Sequence, residues 1–292
     1  MKPGHKQEIG GQAIIEGVMM KSPVRLALAI RKPDGKIAVK KEKVSSLTKK
    51  YRILGLPFVR GIISMFEILS LGYRALSFSA NEASEEEEGD GLGFLATAGI
   101  LVLSVVLAIG IFKFIPLFAV QMLSRRVDYI QGSILFYILE GVLKIGVFVL
   151  YLLAISRIKD VHRIFMYHGA EHKTVGCYES SQELTPENAA RFPKEHPRCG
   201  TSFLLIVILI SIVFYAFIPQ GLAFYEKLLY RILLLPLIAG VSYEILKISA
   251  RYRRNLITRL LIVPGMLTQK LTTKEPDRKQ IEVAIAALKG VL

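Results

Sequence analysis

Four of the five histidines and both cysteines of this chain fall between residues 156 and 201. One stretch reads Tyr167-His168-Gly169-Ala170-Glu171-His172-Lys173. His168 and His172 are four residues apart, so on a helix both imidazoles leave the same face and can grip one metal ion. Glu171 beside them would be the general base that activates a water molecule. This is the H-x-x-E-H arrangement of inverted zinc peptidases. Gly169 works against the helix that the motif requires. Further on, His196-Pro197-Arg198-Cys199-Gly200 offers an imidazole and a thiol, donors that suit zinc or another borderline-soft ion. The expected metal ligands are therefore His168, His172, His196 and Cys199, the expected ion is divalent with zinc foremost, and the expected catalytic residue is Glu171. Cys177 and Glu179 are weaker ligand candidates. The competing expectation is that the histidines are surface or hydrogen-bonded residues, with Glu171 capping the helix or paired to Lys173 or Arg198.

Helix phase says how these groups are held. Val161, Phe165, His168 and His172 share one face, so the histidines continue an apolar stripe and should meet whatever packs there. His162 points off that face, and His5 belongs to the N-terminal tail. Two thiols are too few for a disulfide framework.

The rest of the chain is a membrane protein by composition. Of its 292 residues 52% are hydrophobic, and the mean hydropathy is +0.43. The apolar residues gather in runs of bilayer-spanning length, about 20 residues each. Four spans are expected: Phe94 to about Phe118, Ser133–Ile155, Ser202–Ile218, and roughly Leu228–Ser249. Lys113 sits near one end of the first and can snorkel. Glu140 and Lys144 in the second are placed to pair at i,i+4. Arg231 lies near the start of the fourth and Pro236 inside it. Glu244, followed by Lys247, is placed to pair with basic neighbours or to reach the histidine segment.

Positive charge sets the orientation. Residues 1–60 carry 14 Lys and Arg, 156–201 carry seven and 247–292 carry ten, whereas 119–132 carry two and 219–227 one. The three basic segments should share the cytoplasmic side. That makes a multi-pass inner-membrane protein with both termini in the cytoplasm. Residues 1–12 are polar and do not read as a signal peptide. The formal net charge of +14 suits a face turned to anionic lipid headgroups or a polyanionic partner.

Residues 1–50 read as a small β-containing cytoplasmic module. Val24–Ile30 and Lys36–Val39 flank Pro33-Asp34-Gly35, a hairpin signature, and 10–20 supply another strand or a tight loop. Residues 53–80 carry Arg60, Glu67 and Arg74 at a spacing of seven, all on one helical face. Charges at the bilayer centre cost about 2.5–3.5 kcal/mol each, so this segment is expected as an interfacial amphipathic helix that does not cross. An acidic linker, 81–92, follows, ahead of spans one and two (93–155), the His/Cys segment (156–201), spans three and four (202–249) and a basic tail (250–292). In that tail Pro276 suits the first turn of a terminal helix, whose stripe of Ile281, Ile285 and Leu288 should dock on the N-terminal module.

The opening Gly10-Gly11-Gln12-Ala13-Ile14-Ile15-Glu16-Gly17-Val18-Met19-Met20, the Tyr167–Lys173 and His196–Ser202 blocks, and Leu271-Thr272-Thr273-Lys274-Glu275-Pro276 together resemble the bacterial YqhQ-like family. The resemblance runs almost end to end. The family is one of unknown function, sometimes labelled a predicted metal-dependent enzyme, so it implies a membrane protein with a metal site and supplies no reaction or substrate. The leading expectation is a membrane-embedded metal-dependent hydrolase. The alternative is a non-enzymatic scaffold with a structural metal. Its basic face would dock a polyanionic partner such as the ribosome or translocation and insertion machinery. A transporter would need more than four helices with one intramembrane ion pair, and so would need a homo-oligomer.

Overall fold

The computed structural model describes residues 7, 9–83, 94–197, 199–219, 221–251 and 256–292. His5, the acidic run Glu85 to Asp90, and Arg198 lie outside them. The chain is mainly helical with a small antiparallel sheet at its N-terminal end.

Strands β1 (Gly10–Ile14), β2 (Gly17–Lys21), β3 (Arg25–Arg31) and β4 (Ile37–Lys43) form a meander in the order β1-β2-β3-β4. Alternation gives the sheet two buried faces. Ile14, Met19, Leu26, Leu28 and Ile30 point one way, and Val18, Met20, Ala27 and Ala29 the other. The β3–β4 turn needs Gly35, whose φ is +84°. Glu16 in the β1–β2 turn is held at φ 51°, a conformation that few non-glycine residues adopt.

The helices are α1 (Leu47–Lys50), α2 (Val59–Ala83), α3 (Phe94–Ile109), α4 (Ile115–Ser124), α5 (Ile134–Ile155), α6 (Lys159–Glu179), α7 (Pro186–Ala190), α8 (Gly200–Tyr215), α9 (Phe224–Leu233), α10 (Leu235–Arg251), α11 (Leu256–Thr272) and α12 (Arg278–Val291). One sheet face packs on α2 through Leu71, Ala75 and Phe78. The other packs on α6 and α12, where Ile281, Ala284, Ile285 and Leu288 bury against Ala27 and Ala29. A Cβ at Gly290 would lie 2.6 Å from Ala27 Cβ, so the terminal helix sits almost on the sheet backbone. Asp277 caps α12 by accepting from Gln280 N at 2.7 Å. Pro276 therefore precedes the cap and does not stand in the first turn, as the sequence had suggested.

Among the described residues, three helices are long and apolar enough to cross a membrane: Val59–Ala83, Ala98–Ser124 and Ile134–Ile155. A fourth results if α9 and α10, bent by 43° at their break, count as one. The α8 helix has 16 residues, about 24 Å at 1.5 Å per residue, short of a 30 Å hydrocarbon core. The expected third span thus ends at Tyr215. The first of these, α2, was expected to lie at the interface, yet it is long and apolar enough to span. Its three charges are each paired, Arg60 and Glu67 partly buried and Arg74 exposed. Arg60 forms a bidentate ion pair with Glu244 of α10, Glu67 accepts from Ser46 Oγ at 2.9 Å and Leu47 N at 2.5 Å, and Arg74 reaches Glu42 of β4 at 3.0 Å. The α2 and α10 backbones touch where they cross: a Cβ on Gly61 would meet Gly240 Cα at 3.1 Å.

Two expectations change. Helix α3 continues through a π turn, Gly110–Phe114, into α4, so Lys113 falls well inside the helix and does not snorkel from its end. It donates instead to Tyr215 Oη at 2.9 Å. The basic tail also contains α11, which packs on α8, and a Cβ on Gly265 would come within 2.6 Å of Ser202 Cβ.

Candidate metal centre

Helix α6 carries His168, Glu171 and His172 on the face turned to α8 and the 271–276 segment. Gly169 does not break the helix, for a reason outside helix propensity. A Cβ there would lie 2.1 Å from the carbonyl oxygen of Lys274, so only glycine admits the tail segment against α6. Lys274 N donates to Phe165 O at 2.9 Å and closes that contact. The same approach brings Thr272 O to 2.8 Å from His168 Nδ1. On the other side, Lys194 O lies 2.5 Å from His172 Nδ1. A carbonyl can only accept, so both Nδ1 atoms carry the proton and both Nε2 atoms present a lone pair. That is the tautomer and orientation that backbone carbonyls impose on metal-ligating histidines.

Cys199, just before α8, completes the group. Its Sγ stands 3.2 Å from His168 Nε2 and accepts from Thr201 N at 3.5 Å. One ligand atom from each of His168, His172 and Cys199 lies within 4.8 Å of the other two. Donors about 2.0–2.3 Å from a shared tetrahedral ion are themselves spaced by somewhat under 4 Å, so a small inward movement would close the set. Two carbonyl-fixed imidazoles with converging lone pairs and one thiol are a zinc-type donor set. The residues present fit a metal ion.

Glu171 is 6% exposed. Its Oε2 lies 3.6 Å from His172 Nε2 and 4.0 Å from His168 Nε2. It does not pair with Lys173, whose Nζ binds Ala190 O, Phe192 O and Glu275 Oε1 at 2.7–2.9 Å. A Cβ on Gly11 of β1 would fall 2.6 Å from Glu171 Cγ, so the sheet backbone presses the carboxylate toward the histidines.

His196 is placed differently. Its ring centroid is 5.7 Å from that of His172, and its Nε2 lies 3.4 Å from Glu179 Oε2. Gln269 of α11 clamps its backbone, accepting from His196 N at 2.8 Å and donating to His196 O at 2.9 Å. Histidine 196 thus flanks the three-residue group without belonging to it. Cys177 is buried in the α6–α12 core with Sγ 3.4 Å from Glu183 O, neither cysteine is in a disulfide, and His162 is exposed. Glu244, being paired with Arg60, does not reach the centre.

An ion pair anchors the start of α6. Arg163 grips the Glu16 carboxylate, and Tyr167 Oη donates to Glu16 Oε2 at 3.2 Å. Its own hydrogen bond to Glu16 pushes the Arg163 guanidinium above its ordinary range, and burial followed by the Glu16 charge pushes the Tyr167 phenol up as well. The carbonyls of Thr272 and Lys194, Gly11 and Gln269 all shape the centre and carry no ligand signal of their own. Gly11 and the 271–276 stretch do lie in two of the blocks that stand out in the sequence.

A family model described as "Protein of unknown function (DUF1385)" matches residues 56–292. The chain is also 32% identical over 295 residues to "Uncharacterized protein YqhQ" of Bacillus subtilis (strain 168), covering 97% of this chain and 92% of that protein. No solved structure matches. With most of its length matched in both comparisons, the chain belongs to the YqhQ-like family of unknown function, DUF1385.

Proposed function

We propose that the chain is a polytopic inner-membrane protein with a cytoplasm-facing metal centre that hydrolyses a substrate presented at the bilayer surface. The observation that carries the centre is the convergence of His168, His172 and Cys199 within 4.8 Å, with both Nδ1–H groups consumed by carbonyls. These three residues would hold a divalent ion, zinc foremost. When bound, such an ion supplies Lewis acidity and makes water acidic. Three protein donors leave one tetrahedral position open, the pattern of catalytic zinc. Glu171 would take the proton from the attacking water and return it to the leaving group. Thr272 O and Lys194 O hold the imidazoles in register while that proton moves.

Packing supports the membrane orientation through a parity argument. The sheet, α6 and α12 share one core, so the N-terminal module, segment 156–201 and the C-terminal helix must lie on one side. If Ala98–Ser124 and Ile134–Ile155 both cross, two crossings separate α2 from α6. A crossing by α2 would then put the sheet and α6 on opposite sides. Together with the Lys and Arg count, this favours an interfacial α2 and a cytoplasmic centre.

A structural metal on a scaffold is the second reading, favoured by burial: His172 is 2% and Cys199 7% exposed. Metal content and coordination number of the purified chain separate the two. His172→Ala should lose the ion. Glu171→Gln should keep it with an open fourth position and abolish hydrolysis across lipid and membrane-peptide substrates. A wild-type chain purified without stoichiometric metal, and unable to take up zinc, would sink both readings. A closed four-residue shell would leave the scaffold.

A further inference from the structure

We infer that the cleft between the sheet module, α2 and α10 is a binding site for the phosphate headgroup of an anionic phospholipid. The cleft holds about 610 Å³, within the roughly 300–1,000 Å³ of small-ligand sites. It is distinct from the metal centre. Lys21 ends β2, Ser22 opens the β2–β3 turn, Thr48 and Lys49 come from α1, Arg60 and Ser64 from α2, and Lys247 from α10. The charges on it do not cancel. Glu244 takes Arg60, and Glu67, the lining carboxylate among the described residues, is occupied by Ser46 Oγ and Leu47 N. Lys21, Lys49 and Lys247 have no carboxylate within ion-pair distance among the described residues. Lys49 Nζ meets the carbonyl of Pro23 at 3.5 Å. Three ammonium groups, with the hydroxyl residues Ser22, Thr48 and Ser64 on the same cleft, suit a phosphate diester, because point-charge ammonium donors bind phosphate without demanding a planar fork.

The surroundings indicate a lipid. Ile68 lines the cleft and is 50% exposed, Leu69 beside it is 61% exposed, and Leu56 at the entry to α2 and Ile248 after Lys247 are 51% and 53% exposed. An apolar rim next to a cationic floor matches an amphiphile whose phosphate enters and whose chains stay along α2. The cleft lies at the end of α10 that carries Lys247, the end assigned to the cytoplasmic leaflet, where anionic lipid concentrates. The inference therefore rests on the membrane orientation proposed above, and it does not depend on the metal.

The test uses the full chain in detergent, with bound lipid counted by native mass spectrometry after exchange into phosphatidylcholine with or without phosphatidylglycerol. Wild type should retain phosphatidylglycerol. The variant Lys21→Gln/Lys49→Gln/Lys247→Gln should bind it on the order of 100-fold more weakly, at about one factor of five per lysine. Exposed lysines elsewhere, changed as Lys36→Gln/Lys159→Gln/Lys279→Gln, should leave retention unchanged. Equal retention by the cleft variant, or equal retention of phosphatidylcholine, overturns the proposal. Displacement of the lipid by inorganic phosphate alone would make the cleft a soluble-phosphate site and also overturns it. Flotation of the cleft variant with phosphatidylcholine vesicles checks the membrane reading separately: a variant that floats but loses phosphatidylglycerol fails only at the cleft.

Discussion

At the scale of single residues, Gly169 shows how a helix-weakening residue can serve a site. Its missing side chain lets Lys274 O approach, and that approach delivers Thr272 O to His168. Gly169→Ala should raise helix propensity yet destabilise the protein by about 1–3 kcal/mol, because the methyl group meets backbone that cannot rotate away. It should also weaken metal uptake by about 10–100-fold, the usual effect of losing a histidine's orienting partner. Thermal melting and zinc titration of the variant check both effects. A variant that melts higher and binds metal as wild type does would show that the tail contact is not needed. Gly11→Ala is the matching change on the sheet side. It should displace Glu171 and leave the three ligands in place, so zinc titration should be near normal.

At the scale of elements, the helices that hold the centre are joined to a charged core in the apolar bundle. Glu140 of α5 accepts from Arg231 of α9 at 2.7 and 3.0 Å and from Lys144 at 2.7 Å. Lys144 and Arg231 also stack over Tyr215, at 4.2 and 4.9 Å from the ring centroid. The expected Glu140–Lys144 pair is therefore one edge of a larger cluster. Arg231 enters because α9 starts at Phe224 and bends at Leu234, turning the guanidinium inward. Glu140→Gln strands these cations and should cost about 3–5 kcal/mol. Glu140→Leu combined with Arg231→Met and Lys144→Met should cost much less, since no charge is then left unpaired. Melting of the purified variants distinguishes the two, and equal losses would mean that the cluster contributes packing only.

For the whole molecule, the shared core of sheet, α6 and α12 ties three distant parts of the chain together, which in the proposed orientation puts all three on the cytoplasmic side. A cysteine introduced at Ser181, in the turn after α6, should react with an impermeant thiol reagent only after the cells are opened. The Cys177→Ser/Cys199→Ser background removes the native thiols, and reaction in intact cells would reverse the orientation. Chelation should also be felt globally if the centre is loaded. Ions held between α6 and α8 stabilise the folded state alone, so removing them should lower the melting temperature, and added zinc should restore it. His172→Ala should melt the same with and without chelator.

Several of these features are set locally and are legible in the residue order. Alternation in 25–31 makes a two-faced strand, Asp34-Gly35 makes its turn, and a spacing of four puts His168 and His172 on one face. Long apolar runs and the Lys and Arg bias depend only on composition along the chain. What needed the tertiary structure is whatever depends on which segments meet. Cys199 joins the two histidines, while His196, three residues earlier, turns to Glu179 because Gln269 of α11 holds its backbone. The sequence could offer both as donors but could not choose, since that choice is made by a helix some 70 residues away. The partners that orient the imidazoles are backbone carbonyls, which every residue possesses and no residue type announces. The Arg60–Glu244 and Arg231–Glu140 pairs likewise join residues 184 and 91 positions apart, through helix packing that no local period encodes.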